Sequence, residues 1–448
     1  MKEHALAPSL QRHLPKFVLI LCLIQPVMDV LSFWMDRSGA GNTITLVLRL
    51  IVLIVTVVAG FCVSRRKISY FGTAALLLFL TVGHVLVCCL YGYQNPASDL
   101  TNLVRIYLFP VTVLAFVTFL KCNSKCLDAV KLGFLGNLGM IILVEILAAV
   151  TGTDPHTYAN KGVGVLGWFM TPSAQSAILS MLVPVVIVYV AERKNLKPGY
   201  VAGIGVAGFG VLYLFATRLA YASLLGCAFC LAAACLILKW MKKIPSGRAA
   251  AVLAAFGVAA ILLAGISPMQ VNNEKVAANA VLKQQDIDAM VEADRAAAEV
   301  EGLSGEALEL ASLESAYEKY LHGVTGRFGL ERVAEYYQFS TDMNEVCNAR
   351  MQKRAYCTLL LEEQPLARVF GLELADMTFD SAAYDAENDV HGIYFLCGCA
   401  GLILLLLFLG VFAICILFPL VRGFKDRFTL ETAGFTNTSL PSSPVIKP

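Results

Sequence analysis

Six ionisable residues lie within or at the rim of six different apolar stretches: Asp29, Arg49, His84, Arg105, Glu145 and Arg218. A charge held in hydrocarbon costs about 3 kcal/mol or more, so it is usually kept there for a partner or a task. Arginine is always ionised, and its planar fork of donors matches phosphate oxygens. Arg49 and Arg105 enter their stretches by a turn or so, and Arg218 sits at a connection. Three guanidinium groups at one depth suit a diphosphate whose lipid tail lies in a bilayer. A structural reading of the same residues pairs Arg49 with Asp29 and Arg105 with Glu145 inside a helical bundle, while Arg218 has no carboxylate among its sequence neighbours. Glu145 would act as a base if isolated and as a counter-ion beside an arginine, and the sequence leaves both open. A lone His84 on an apolar helix is more often a hydrogen-bonded core group than a proton carrier.

The elements that must hold these residues are membrane helices. Hydrophobic residues make up 58% of the 448. Apolar runs recur near 17–35, 44–63, 70–91, 102–120, 129–150, 173–191, 199–216, 219–239, 249–266 and 391–418. The pattern predicts an all-α polytopic membrane protein with about ten transmembrane helices. With the N-terminus in the cytoplasm, the inner connections and the flanks of the first and last runs carry nineteen Lys and Arg, whereas the short outer connections have only Arg37, Lys161 and, at a rim, Arg218. That asymmetry sets the orientation, returns the C-terminus to the cytoplasm and puts all six ionisable residues toward the outer face. Pro26 and Asp29 interrupt the first run and no small-residue cleavage site follows, so it reads as a retained, kinked helix rather than a secretory signal.

The expected organisation is therefore helices 1–9 over residues 1–266, an extracytoplasmic loop over 267–390, helix 10 over 391–418 and a cytoplasmic tail over 419–448. The loop holds 23 of the 33 acidic residues and 10 basic ones, which excludes it from the membrane. Its Ala, Glu, Lys and Gln content favours helix, and its acidity reads first as a solvated face. Most of the fourteen cysteines lie in apolar runs as small hydrophobes; Cys347 and Cys357 are the one pair in the loop that could bridge. No histidine–carboxylate cluster in the sequence points to a metal. No cofactor and no nucleic-acid partner are expected.

Several motifs, in order, resemble a known family. QPVMDVLS (Gln25 to Ser32) is similar to a Q-P-x-x-D start, and GWFMTPSAQSAILSMLVP (Gly167 to Pro184) to a segment entered through a polar turn. ATRLAYASLLG (Ala216 to Gly226) resembles an arginine motif with Arg218 in the arginine position. ARMQKRAYCTLLLEEQPLARVFG (Ala349 to Gly371) looks like an arginine-led loop helix, and ENDVHGIYFLCGCAG (Glu387 to Gly401) like a polar, histidine-containing entry to the last helix. Together they resemble the O-antigen ligase and polymerase family of bacterial membrane glycosyltransferases. There are departures: Thr217 stands where a serine often precedes the arginine, the chain ends earlier than many members, and the loop has no clear histidine–asparagine pair.

The resemblance implies a C-type glycosyltransferase-like architecture in the bacterial cell membrane. It also implies transfer of a glycan from an undecaprenyl-diphosphate donor to an acceptor hydroxyl on a glycan, lipid or wall polymer. Arg218, with Arg49 or Arg105, would stabilise the departing diphosphate without a metal. Arg350 and Arg354, four apart on one helix face, would close over it, unless they only pair with Glu362, Glu363 or Asp342. His391, Asp389 or Glu387 would orient or deprotonate the acceptor. Glu145 and Asp29 are further candidates for the binding site. A lipid-linked oligosaccharide flippase or other transporter is the alternative, and would show polar groups through the whole depth or an internal repeat.

Overall fold

The structure, a computed structural model, describes residues 7–41, 43–244, 246–380, 382–384 and 389–430. The first nine helices are α1 (Ala7–Arg37), α2 (Thr43–Val63), α3 (Lys67–Tyr91), α4 (Pro96–Cys122), α5 (Lys125–Val150), α6 (Pro172–Arg193), α7 (Pro198–Leu214), α8 (Arg218–Trp240) and α9 (Arg248–Leu262). There follow α10 (Pro268–Val300), α11 (Glu306–Ser312), α12 (Glu314–Phe328), α13 (Leu330–Tyr336), α14 (Met343–Val346), α15 (Ala349–Glu363) and α16 (Ala367–Phe370). A two-residue hairpin, β1 (Thr378–Phe379) with β2 (Ala382–Ala383), precedes the long α17 (Asp389–Arg422) and the short α18 (Phe424–Arg427). The protein is thus mostly helical, consistent with the all-α polytopic class expected. Among the described residues, eight helices are long and apolar enough to cross a membrane: α1 to α6, α8 and α17. Helices α7 and α9, at 17 and 15 residues, are apolar but shorter than the ~20 residues that span a bilayer core, so length alone supports eight of the ten expected crossings.

The contacts divide the chain into two units. The first comprises Met1–Arg65, Thr112–Lys275 and Phe412–Pro448. Here α1 lies along α5. The approach is close because Gly133 and Gly136 leave room for Cys22 and Leu23: a Cβ on either glycine would come within 2.5 Å of those side chains. Small residues at such seams let membrane helices pack backbone to backbone. The core of this unit runs through α5 to α9, with Leu179, Val183, Ile187, Leu212 and Leu231 essentially inaccessible.

The second unit comprises Arg66–Val111 and Val276–Val411. Tyr317, Val333, Tyr356 and Leu360 from α12, α13 and α15 form its core. Arg332 reaches across to α15, with Nη1 2.8 Å from Glu363 Oε1 and Nη2 3.0 Å from Glu362 Oε2. Arg327 adds a 2.7 Å bond to Glu363 Oε2. The chain after α16 then crosses α17 at Gly398, whose φ of 65° breaks the helix. A Cβ there would fall 2.2 Å from the Val369 backbone, so only glycine fits. Leu372 N donates to the Phe395 carbonyl at 2.7 Å, satisfying one of the carbonyls next to that break.

Candidate functional site

Arg218 is the first residue of α8. Thr217 caps the helix through Oγ1, which accepts from Ala220 N at 3.1 Å, so the hydroxyl retained in place of a serine has a local structural use. A cation at a helix N-terminus opposes the helix dipole, and two positive ends converging there make an anion the complementary ligand. Arg218 is exposed, and its Nε donates to the neutral Asn273 Oδ1 at 3.0 Å. The neighbouring Asn272, buried on α10, accepts from Lys161 Nζ at 3.0 Å. Lys275 Nζ in turn donates to the Lys161 carbonyl at 2.7 Å. One turn of α10, started by Ser267 Oγ accepting from Gln270 N, therefore gathers three cations. Their hydrogen-bond partners are amides and carbonyls, not carboxylates. The sequence analysis singled out Arg218 and missed Lys275. The signal was the Asn-Asn-Glu-Lys start of α10, which reads as ordinary helix until it is folded against the 158–163 turn.

The other candidates of the first unit behave differently. Arg49 donates from Nη2 to Asp29 Oδ1 at 2.7 Å and to Ser32 Oγ at 3.3 Å, the structural pairing foreseen for it. Asp29 is thereby taken as a counter-ion. Glu145 is buried under Gly167, and its Oε1 has no hydrogen-bond partner among the described residues. The turn above it is fixed by Asp154 Oδ1, which accepts from Leu166 N at 3.1 Å and Gly167 N at 2.8 Å. Helix α8 packs against α6, α7 and α9, whereas α2 packs on α1, so Arg218 and Arg49 stand on different helix groupings.

In the second unit Arg105 is an exposed residue of α4. Arg350 and Arg354 are both exposed on α15, four residues apart and on one face as expected. The carboxylates suggested as their partners, Glu362 and Glu363, are occupied by Arg332 and Arg327. Among the described residues the side chains of Arg350 and Arg354 make no ion pair. His391 is half-buried on the first turn of α17, its ring 6.5 Å from that of Phe395. Asp389 begins α17, its side chain outside the described set, and Glu387 lies outside the described residues altogether. Cys347 and Cys357 are not joined in a disulfide.

A histidine–carboxylate cluster that the sequence analysis did not find is built around His84. Its Nε2 lies 2.7 Å from Asp99 Oδ2 and its Nδ1 2.9 Å from the Phe370 carbonyl. Tyr93 OH donates to Asp99 Oδ2 at 2.8 Å and Leu374 N to Asp99 Oδ1 at 3.0 Å. Glu373 is capped by the amides of Gln94 and Asn95. Burial, reinforced by the bond to Asp99, pushes the Tyr93 phenol up. The cluster thus ties α3, the turn after it and α4 to the Phe370–Leu374 segment.

The membrane-length helices define a multi-pass membrane protein, in which Arg218, Lys161 and Lys275 have no carboxylate partner among the described residues. The chain belongs to the O-antigen ligase like membrane protein family, whose profile matches residues 11–440. It is also 25% identical over 148 residues to the SPbeta prophage-derived disulfide bond formation protein B of Bacillus subtilis (strain 168), a likeness covering 31% of this chain and 92% of that protein. No solved structure matches. Family membership makes glycan transfer in the membrane the activity expected of the fold, with a lipid-linked glycan and an acceptor as partners.

Proposed function

We propose that this protein transfers a glycan from an undecaprenyl-diphosphate carrier to an acceptor hydroxyl at the extracytoplasmic face of the bacterial cell membrane. The observation that carries this reading is the gathering of Arg218, at the N-terminus of α8, with Lys161 and Lys275 around the Asn272–Asn273 turn of α10, on amide and carbonyl partners. In the reaction the acceptor oxygen attacks the anomeric carbon and the bond from that carbon to the phosphate oxygen breaks. The electron pair leaves with the diphosphate, and the acceptor proton passes to a base. Cations poised where charge develops lower that barrier, and the three side chains meet the requirement without an ion pair to break first. Arg350 and Arg354, with Glu362 and Glu363 engaged by Arg327 and Arg332, are further candidates for binding the donor. His391, with Asp389 or Glu387, is the candidate for receiving the proton. In this reading the N-terminus is cytoplasmic, which the charge asymmetry supports, α7 and α9 are short spans that bring the crossings to ten, and residues 267–390 lie outside.

The test is transfer in reconstituted vesicles supplied with a lipid-diphosphate-linked glycan. Arg218→Ala is expected to lower the rate by about a hundredfold or more, the usual effect of deleting one oxyanion donor, while leaving the melting temperature unchanged. Transfer at the wild-type rate would remove Arg218 from the mechanism. Translocation of the lipid without transfer would establish the flippase instead.

A further inference from the structure

We propose that His84, Cys88 and Asp99 form a zinc site that locks the Phe370–Leu374 segment to α3 and α4. The Nε2 of His84, Sγ of Cys88 and Oδ2 of Asp99 all lie within 4.8 Å of one another. The three residues are 1%, 4% and 1% exposed. Imidazole, thiolate and carboxylate are each zinc ligands, and a thiolate beside an imidazole selects zinc over magnesium or calcium. His84 and Cys88 are four apart on α3, so they stand on one face of the helix.

The surroundings are those of a ligand set. His84 Nδ1 faces the Phe370 carbonyl and so carries the proton in a neutral ring, which leaves the Nε2 lone pair aimed at Asp99 and Cys88. Histidines that bind metals are oriented in this way by a carbonyl or carboxylate on the other nitrogen. Asp99 is held equally firmly, by Tyr93 OH on Oδ2 and Leu374 N on Oδ1. A lone-pair nitrogen and a carboxylate oxygen 2.7 Å apart require a positive species between them, either a proton or a metal ion. Asp99 and Glu373, at 1% and 2% exposure, are two buried carboxylates in one neighbourhood, and among the described residues neither is in an ion pair with lysine or arginine. A divalent cation ligated by Asp99 and a Cys88 thiolate would balance both of its anionic ligands.

Geometry agrees for sulfur and needs a small movement for oxygen. Tetrahedral zinc, with bonds of about 2.0 Å to nitrogen and 2.3 Å to sulfur, separates those two ligands by about 3.5 Å. The observed Nε2 to Sγ distance is 3.4 Å. Nitrogen and oxygen ligands would stand about 3.3 Å apart, so Oδ2 withdraws by about half an ångström as the metal replaces the proton. A water completes the tetrahedron.

The full-length protein, purified in detergent without chelator, should contain one equivalent of zinc by elemental analysis. Cys88→Ser should lose it while eluting unchanged from a sizing column, because the His84–Asp99 bond survives that change. Replacement by cobalt should give the wild type a thiolate-to-metal charge-transfer band that Cys88→Ser lacks. Wild-type protein that remains metal-free after dialysis against stoichiometric zinc would overturn the site in favour of a shared proton. So would a Cys88→Ser protein that retains its full equivalent.

Discussion

The Arg218 region and the His84 region assemble similar numbers of polar groups to opposite ends. Around Arg218 three cations meet amides and carbonyls, and Arg218 itself is exposed. Around His84 every carboxylate oxygen and both ring nitrogens are engaged, and the groups are almost wholly buried. A cation held by neutral partners keeps its charge for a ligand, whereas a closed, buried network spends its charges on itself and so fixes structure. Arg49, paired with Asp29 at a half-exposed position, lies between the two.

The contrast can be broken most easily at Asp99. Asp99→Ala leaves His84 and Tyr93 without their partner in a buried setting and should cost about 3–5 kcal/mol, read as a large fall in the melting temperature of the detergent-purified protein. A variant as stable as the wild type would show that the network holds nothing. Next in size, Lys161→Met combined with Lys275→Met should slow glycan transfer by about tenfold or more with melting unaltered, since each donor contributes to a developing charge. A loss of stability in step with activity would make these lysines structural and dissolve the distinction. Arg49→Met should shift stability by no more than about 1 kcal/mol, as exposed pairs do, and transfer activity will decide whether Arg49 belongs with Arg218 or with the framework.

The smallest effect concerns an ion pair between α10 and α12. Lys319 and Tyr320 hold the Asp286 carboxylate below its usual range, and the bond to Asp286 pushes the Tyr320 phenol up to about 12. The carboxylate's contribution is present above its unfolded pKa of about 3.9 and is lost as pH falls through the lower folded value. The phenol's contribution is present below its unfolded pKa of about 10 and is lost as pH rises toward 12. Asp286→Asn should therefore flatten both edges of a melting-temperature profile slightly; unchanged edges would mean the pair is solvent-screened.

Much of this was legible before folding. The apolar runs located the helices, the Ala, Glu, Lys and Gln content of 267–390 foretold further helices, and Arg218 stood out because its neighbours offered no carboxylate. The Arg49–Asp29 pair was visible as one of two options, and packing of α2 on α1 chose it. Lengths were less legible: α7 and α9 carry apolar patterns that composition alone reads as full spans.

Composition and periodicity depend on each residue's own transfer energy, which is why the sequence by itself determined the membrane class, the helical insertion and the arginine at the head of α8. Which neutral or charged group each ionisable side chain meets depends on residues far away in the chain. Asn272 and Asn273 reach residues 111 and 55 positions distant, and Asp99 meets an amide 275 positions away. Only the tertiary structure could bring Lys161 and Lys275 to Arg218, or close the shell around His84, because a hydrogen bond is decided within about 3 Å and no local pattern carries that information across such separations.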